Sequence, residues 1–413
     1  MNKPIFDVVI VGGGMVGSSL ALALSSLPLK VAMIEPHPQN SYLAPGFDAR
    51  AIALSWGSTR IFNALGIWPQ LKSIATPIKN IHVSDKGHLG ICRLEAKQMK
   101  VAAMGQVVEL EDVGKVIHKA LTETNTTLFC PAKVDSINAE ADDYTTLTLS
   151  VQHNKEQQIK TRLVVAADGK ESMVRQLSGI QIVDKAYDQV AIISTIKTQL
   201  PHNNVAYERF TETGPVAFLP LSNNRISLVW MMNSNLAKQL VTATDEQFIS
   251  ALQDQFGQRL GRIMQVGKRT IYPLNLVKAE RCIDKRLVII GNAAQSLHPI
   301  AGQGFNLGLR DVATLADILR TSCIKGIDPG STELLKDFEQ WRQPDKQKVI
   351  EFTDVMARLF TNPALILSAP RNFILMAMNL MPQMRYQLAE AAMGLSGKQP
   401  RLVRGLSLLM QEQ

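Results

Sequence analysis

Phe6-Asp7-Val8-Val9-Ile10-Val11-Gly12-Gly13-Gly14-Met15-Val16-Gly17 constrains this chain more than any other stretch. An apolar run breaks into glycines and passes into an alanine- and leucine-rich segment, Ser18 to Leu27. The pattern predicts strand, tight turn, helix. Gly12, Gly14 and Gly17 stand in G-x-G-x-x-G register. In such a motif the first glycine permits the turn, the second lets a pyrophosphate approach the backbone, and the third lets helix and strand pack closely. The helix start offers free N–H groups and a positive dipole end to phosphates. A second predicted strand, Lys30 to Ile34, ends in Glu35, at about the ~20-residue spacing of a carboxylate that binds ribose hydroxyls. Together these features predict a dinucleotide site. The alternative is a glycine-rich turn with no ligand.

A length of 413 residues suggests about two or three domains. The net charge is +8, yet no Lys/Arg block or aromatic–basic alternation appears, so no nucleic-acid partner is expected. A basic surface is better suited to anionic lipid. Cys92, Cys130, Cys282 and Cys323 are scattered outside metal-ligand spacing, which predicts reduced thiols and no metal. No secretory signal pattern is visible, and no apolar run reaches the ~20 residues needed to span a bilayer. The expected location is cytoplasmic, with peripheral contact at the inner membrane surface as the sharper option.

Beyond Glu35, Arg50 lies among small and apolar residues before a helical pattern, Trp56 to Leu65. Its planar fork could hold a pyrophosphate or a ring carbonyl, or pair with Asp48. Ile78–Val83 and Gly90–Leu94 read as a hairpin around Asp85-Lys86-Gly87. Gln106–Leu110 is extended and leads into a helix from Glu111 to Thr122. A predicted strand, Arg162–Ala166, runs into Ala167-Asp168-Gly169. Between 186 and 270, Gln189–Lys197, Ala206–Thr211, Ala217–Pro220 and Ile226–Met232 alternate as strands, and Thr244 caps a helix to Phe256. These strands and the hairpin predict an antiparallel lobe suited to an organic substrate. Arg286–Ile290 is again an apolar strand, followed by Gly291-Asn292-Ala293-Ala294 and a second glycine loop, Gly302-Gln303-Gly304-Phe305-Asn306, that opens a helix. From Thr332 the chain reads as helical to Leu359, and Ala364–Met381 is apolar and methionine-rich, suited to a core, a partner or a membrane face.

The N-terminal motif with Glu35, the Asp168-Gly169 turn and the Gly291-to-Gly308 segment, in this order and spacing, resemble the single-component FAD monooxygenases of the para-hydroxybenzoate hydroxylase type. The resemblance covers about residues 1–345. Gly46 to Leu54, Val83 to His88 and His298 to Gly308 are similar to the ubiquinone-biosynthesis hydroxylases, the 2-polyprenyl-6-methoxyphenol hydroxylases among them. The implied fold is α/β: a Rossmann-like FAD-binding domain with an inserted antiparallel β-sheet substrate domain and a C-terminal helical region. The expected division is FAD domain at 1–77, 98–185 and 271–345, substrate lobe at 78–97 and 186–270, and a helical region at 346–413.

Carried over residue by residue, the resemblance implies that Gly12, Gly14 and Gly17 hold the FAD pyrophosphate and Glu35 the adenosine ribose. Arg50 and Gln106 meet the cofactor's middle. Asp168 and Gly169 line the site. Asn292 meets the ribityl or pyrophosphate region, and Pro299, Gly302, Gly304, Phe305 and Asn306 lie along the isoalloxazine. Most of the wider family has Asp where Asn292 stands and frequently His where Gln295 stands. Asn keeps an acceptor oxygen but loses the charge.

The implied activity is FAD-dependent hydroxylation of a polyprenyl phenol by O₂ through a flavin C4a-hydroperoxide. NAD(P)H or a protein donor would act as reductant, and other ubiquinone-biosynthesis proteins as partners. A base should reach the phenol hydroxyl; His298 is the first candidate, then Tyr207 and His88. Other readings are a polyprenyl reductase, a hydroxylase of soluble phenols, a non-catalytic FAD-binding subunit of a biosynthetic complex, and a nicotinamide-dependent dehydrogenase.

Overall fold

The computed structural model describes residues 3–38, 50–139, 143–151, 155–296, 302–361 and 381–409. His298, Pro299, Asp48 and the segment 364–380 fall outside them.

Strand Ile5–Val11 is apolar and buried from Val8 to Val11, as a strand covered on both faces must be. It pairs in parallel with Val31–Ile34 on one side and with Lys155–Ala166 on the other. Lys155–Ala166 pairs in parallel with Leu287–Ile289. Strands from the beginning, middle and end of the catalytic portion therefore lie side by side in one sheet. One face is covered by helices Met15–Leu24 and Gln303–Lys325, whose apolar residues share a core with Val8, Ile10, Leu163 and Val288. The opposite face packs against the antiparallel pair Ala132–Ala139 and Thr145–Val151 through Val134, Leu147 and Leu149.

The second sheet is organised by the long strand Ile182–Thr198, which pairs antiparallel with Arg225–Asn233 and Thr270–Ala279. Its strands pass both the 186 and the 270 limits expected from sequence, because Ile182–Ala186 stays paired with Asn275–Ala279. The hairpin Asn80–Asp85/Ile91–Glu95 joins this sheet as expected, but by a parallel pairing with Val205–Phe210 rather than an antiparallel one. One sheet face is covered by helices Ser234–Thr242 and Asp245–Phe256, with Phe218 and Phe256 stacked at 3.8 Å. Thr244 and Gln247 form a reciprocal capping box on the second helix. Helix Ser234–Thr242, started by the Asn233 side chain, was not anticipated.

A small third sheet connects the lobes: Ala51–Ser55 pairs antiparallel with Gly105–Glu109, which also pairs with Thr76–Ile78. Its Val107 and Ile78 pack with Ala206 and Leu221 of the large sheet.

Candidate FAD site

Three turns gather at the carboxyl ends of the adjacent parallel strands, the place where open α/β sheets bind ligands. They are Gly12–Gly14, Ala167–Gly169 and Gly291–Ala293. Backbone bonds hold them in register: the Ala167 N–H donates to Val11 O and the Ile290 N–H to Ala166 O. Two of the glycines are needed for close approach. A Cβ on Gly12 would meet Ala167 O at 2.5 Å, and one on Gly17 would meet Gly12 O at 2.0 Å. Gly291 and Gly308 both lie against the Val16 side chain, so the first glycine turn and the last share one cleft. Arg175 ties in the middle turn; its buried guanidinium donates to Ala293 O at 2.8 Å and to Lys170 O at 2.9 Å.

The cleft has the features of a nucleotide cradle. Nothing lies within 4 Å of a Cβ on Gly14, which begins helix Met15–Leu24 with no side-chain cap, so its first N–H groups face open space. Glu35 is buried and held by two backbone donors, Gly13 N–H at 2.7 Å and His37 N–H at 2.8 Å. Each carboxylate oxygen keeps acceptor capacity for a hydroxyl. A pocket beside it is lined by Gly13, Gly14, Met15, Ser18, Met33, Glu35, Gly114, Ile117, His118, Leu128 and Cys130. Apolar walls with a carboxylate at the rim suit an adenosine. Gly114, Ile117 and His118, from helix Leu110–Thr122, carried no signal in the sequence.

Asp168 turns one carboxylate oxygen to the Val174 N–H at 3.1 Å; its Oδ1 is buried without a hydrogen-bond partner. A buried acceptor left open is costly unless a ligand donor meets it, so this atom fits a hydroxyl-bearing cofactor. Gly169 carries φ of 85°, a conformation few other residues adopt. Arg50 extends from the connecting sheet and lies over the Tyr272 ring at 5.2 Å, where the two lobes face each other. Gln106 stands opposite Leu54 and Pro77 in the same sheet. Asn292 is exposed in its 3₁₀ turn.

The second glycine loop differs in its parts. Gly302 adopts the left-handed conformation that starts helix Gln303–Lys325, and nothing crowds Gly304. Phe305 packs toward Phe62 at 6.3 Å. Asn306 is buried and spends its side chain on protein groups: its Oδ1 accepts from Ser55 N–H and Ser58 Oγ, and its Nδ2 donates to Ala53 O and Gly302 O. It fixes the loop against strand Ala51–Ser55.

Among the candidate bases, His298 lies outside the described residues. Tyr207 is corrected: its ring points to the helix-covered face of the large sheet, edge-on to Phe256 at 5.6 Å, away from the cleft. His88 sits at the hairpin tip beside Asp85 at 3.2 Å. Burial, helped by Arg259 and Arg93, lowers His82 to about 4; it lies next to Tyr207 on the same outer face. Among the described residues there is no cluster suited to a metal and no helix long and apolar enough to cross a membrane.

Turns at the ends of adjacent parallel strands that converge on one cleft beside a buried, backbone-held Glu35 define a dinucleotide-binding α/β protein. The chain belongs to the FAD-binding domain family, which matches residues 6–353. It is 37% identical over 409 residues to the ubiquinone hydroxylase UbiL of Rhodospirillum rubrum, covering 97% of this chain and 93% of the relative. It is 28% identical over 438 residues to the human mitochondrial ubiquinone biosynthesis monooxygenase COQ6, covering 93% and 92%. Among solved structures, p-nitrophenol 4-monooxygenase PnpA from Pseudomonas putida superposes with a TM-score of 0.78 at 17% identity, over 96% of this chain and all of that one. PqsL of Pseudomonas aeruginosa superposes at 0.76 and 19%, over 90% and 99%. These two likenesses support the fold.

Proposed function

We propose that this protein is an FAD-dependent monooxygenase that hydroxylates the aromatic ring of a polyprenylated phenol in ubiquinone biosynthesis. The observation that carries the reading is the convergence of the Gly12–Gly14, Ala167–Gly169 and Gly291–Ala293 turns at the ends of adjacent parallel strands, with Gly291 and Gly308 both against Val16. The names of the full-length relatives supply the substrate class. When bound, FAD supplies two-electron chemistry with a reductant, NAD(P)H or a protein donor, and delivers one oxygen atom of O₂ to an electron-rich ring while the other leaves as water.

This chain's residues bind, orient and shield. Gly12, Gly14 and Gly17 with the open helix start hold the pyrophosphate, and Glu35 holds the adenosine ribose. Asp168 offers its open oxygen to the cofactor's hydroxyls, and Gly169 keeps that turn. Arg50 and Gln106 reach the cofactor's middle from the connecting sheet. Asn292 stands at the ribityl or pyrophosphate end, accepting through its amide oxygen. Gly302, Gly304 and Phe305 line the ring, with Asn306 positioning their loop; Pro299 and His298 belong to the same loop by sequence. The sheet lobe excludes water from the reacting ring.

The test is product analysis under ¹⁸O₂ with purified, yellow, FAD-loaded protein, a short-tailed 2-prenylphenol and a reductant. One labelled oxygen in the product is expected. Reduction of the prenyl chain or unlabelled product would overturn the reading, and protein that stays colourless with added FAD would overturn the cofactor.

A further inference from the structure

The large sheet has a face that no part of the FAD site explains. Along strand Val205–Phe210, side chains alternate between its two faces. Tyr207 belongs to the helix-covered core. Ala206 packs with Ile78, Val107, Ala51 and Ala53 of the connecting sheet. Phe210 packs with Met104, Cys92 and Met393. Glu208 lies between Ala206 and Phe210 and shares their face, which Arg50 also meets at Tyr272. Its cross-strand neighbours are Ala217 and Val83, small and apolar. A carboxylate is therefore set among apolar neighbours on the side of the large sheet that meets the connecting sheet at Ala51, Ala53 and Val107. Glu208 is half-buried as a residue, yet its Oε1 is fully enclosed and has no hydrogen-bond partner.

We infer that Glu208 is the general base that takes the proton of the substrate's phenol hydroxyl. The inference rests on the hydroxylase reading above. In the step, the phenol O–H bond breaks and a Glu208 O–H bond forms. The electron pair stays on the phenol oxygen and enriches the ring that receives the oxygen atom. The proton leaves to water after product forms.

A buried carboxylate oxygen with no donor is costly, and a phenol hydroxyl is the donor that the substrate of the proposed reaction would bring. Burial pushes the Glu208 carboxyl up to about 7, where a base works best near neutral pH. The titratable or charged groups on elements packed against this face are Asp85, paired with His88, Arg50 at Tyr272, the Glu109–Arg225 pair, and Arg385 near Cys92. None of them offsets the burial of Glu208.

The ionised base is the active form, so turnover should rise with pH through about 7. The experiment compares FAD-loaded wild type, Glu208→Gln and Glu208→Asp with the short-tailed 2-prenylphenol, following labelled product across pH 5 to about 10.5. For Glu208→Gln, kcat should fall on the order of 10²-fold at pH 7.5 with FAD still bound. Its rate should recover toward wild type as pH approaches the phenol's own value near ~10, where solution removes the proton. Glu208→Asp should keep the neutral limb at reduced kcat. Wild-type turnover and an unshifted profile in Glu208→Gln would overturn the inference, as would a flat wild-type profile around pH 7 if the variants fail to fold. Wild type that makes no labelled phenol would instead overturn the function on which the inference rests.

Discussion

Gly114 shows how a single residue can matter for the space it leaves. It sits inside helix Leu110–Thr122, where glycine costs about 1 kcal/mol relative to alanine. Nothing lies within 4 Å of a Cβ built there, because that side of the helix lines the pocket beside Glu35. A Gly114→Leu variant should fold with equal or better stability and bind FAD at least about tenfold more weakly, a loss of about 1.4 kcal/mol. Flavin-fluorescence titration beside thermal unfolding of the apoprotein reads both. Unchanged FAD affinity would show that the pocket is not where the nucleotide sits. The sequence made Gly12, Gly17 and Glu35 legible because their spacing encodes a local strand–turn–helix geometry. Gly114 and Glu208 had no such register. The signal available for Glu208 was a charge sharing a strand face with Ala206 and Phe210, and its direction could not be read without knowing which face meets the cleft.

Among the elements, helix Gln303–Lys325 joins the second glycine loop to the rest of the protein. It is buried along most of its length and is locked to helix Thr332–Thr361 by charged groups. Arg342 Nε donates to Asp311 at 2.8 Å, Lys346 lies 3.3 Å from Asp311, and Arg310 and Arg342 both meet Asp345. Asp311 also accepts from the Gly291 N–H at 3.2 Å, so the lock reaches the turn that carries Asn292. Burial works against the Asp311 charge, but Lys346 and Arg342 outweigh it and hold the carboxyl below its usual range. Its stabilising effect is therefore complete above the ordinary carboxylate range and fades as pH falls through the lowered value. Arg342→Met leaves a buried carboxylate short of a partner and should lower unfolding stability by about 3–5 kcal/mol in urea titration, with looser FAD binding. A change under 1 kcal/mol would mean Lys346 alone satisfies Asp311. The sequence announced the helix but not the lock, since Asp311 and Arg342 meet only after the chain turns between the two helices.

At the scale of the whole molecule, a surface of net charge +8 would have to meet the lipid-like phenol of the proposed reaction. The carboxyl-terminal residues 381–409 are part of the body: Met393, Leu402, Val403 and Leu408 are buried, and Leu402, Val403 and Leu408 join the main core. Truncation after Thr361 would therefore damage the fold, and the apolar segment 364–380 must be tested by substitution. Phe373, Ile374 and Leu375 changed together to Ser should reduce co-sedimentation with anionic liposomes severalfold while FAD content stays constant, if this segment and the +8 net charge dock the protein on a membrane. Unchanged sedimentation would remove the segment from that role. By itself, the amino-acid sequence determined the nucleotide-binding start, the succession of strands and helices, and the family, because these depend on neighbours within a few residues and on ordered motifs. Tertiary structure alone decided that Ile182–Ala279 forms one sheet, that Tyr207 turns outward and Glu208 inward, and that Asn306 serves the protein scaffold. Those outcomes depend on which surfaces are buried against each other, and that is settled only when segments hundreds of residues apart compete for the same contacts.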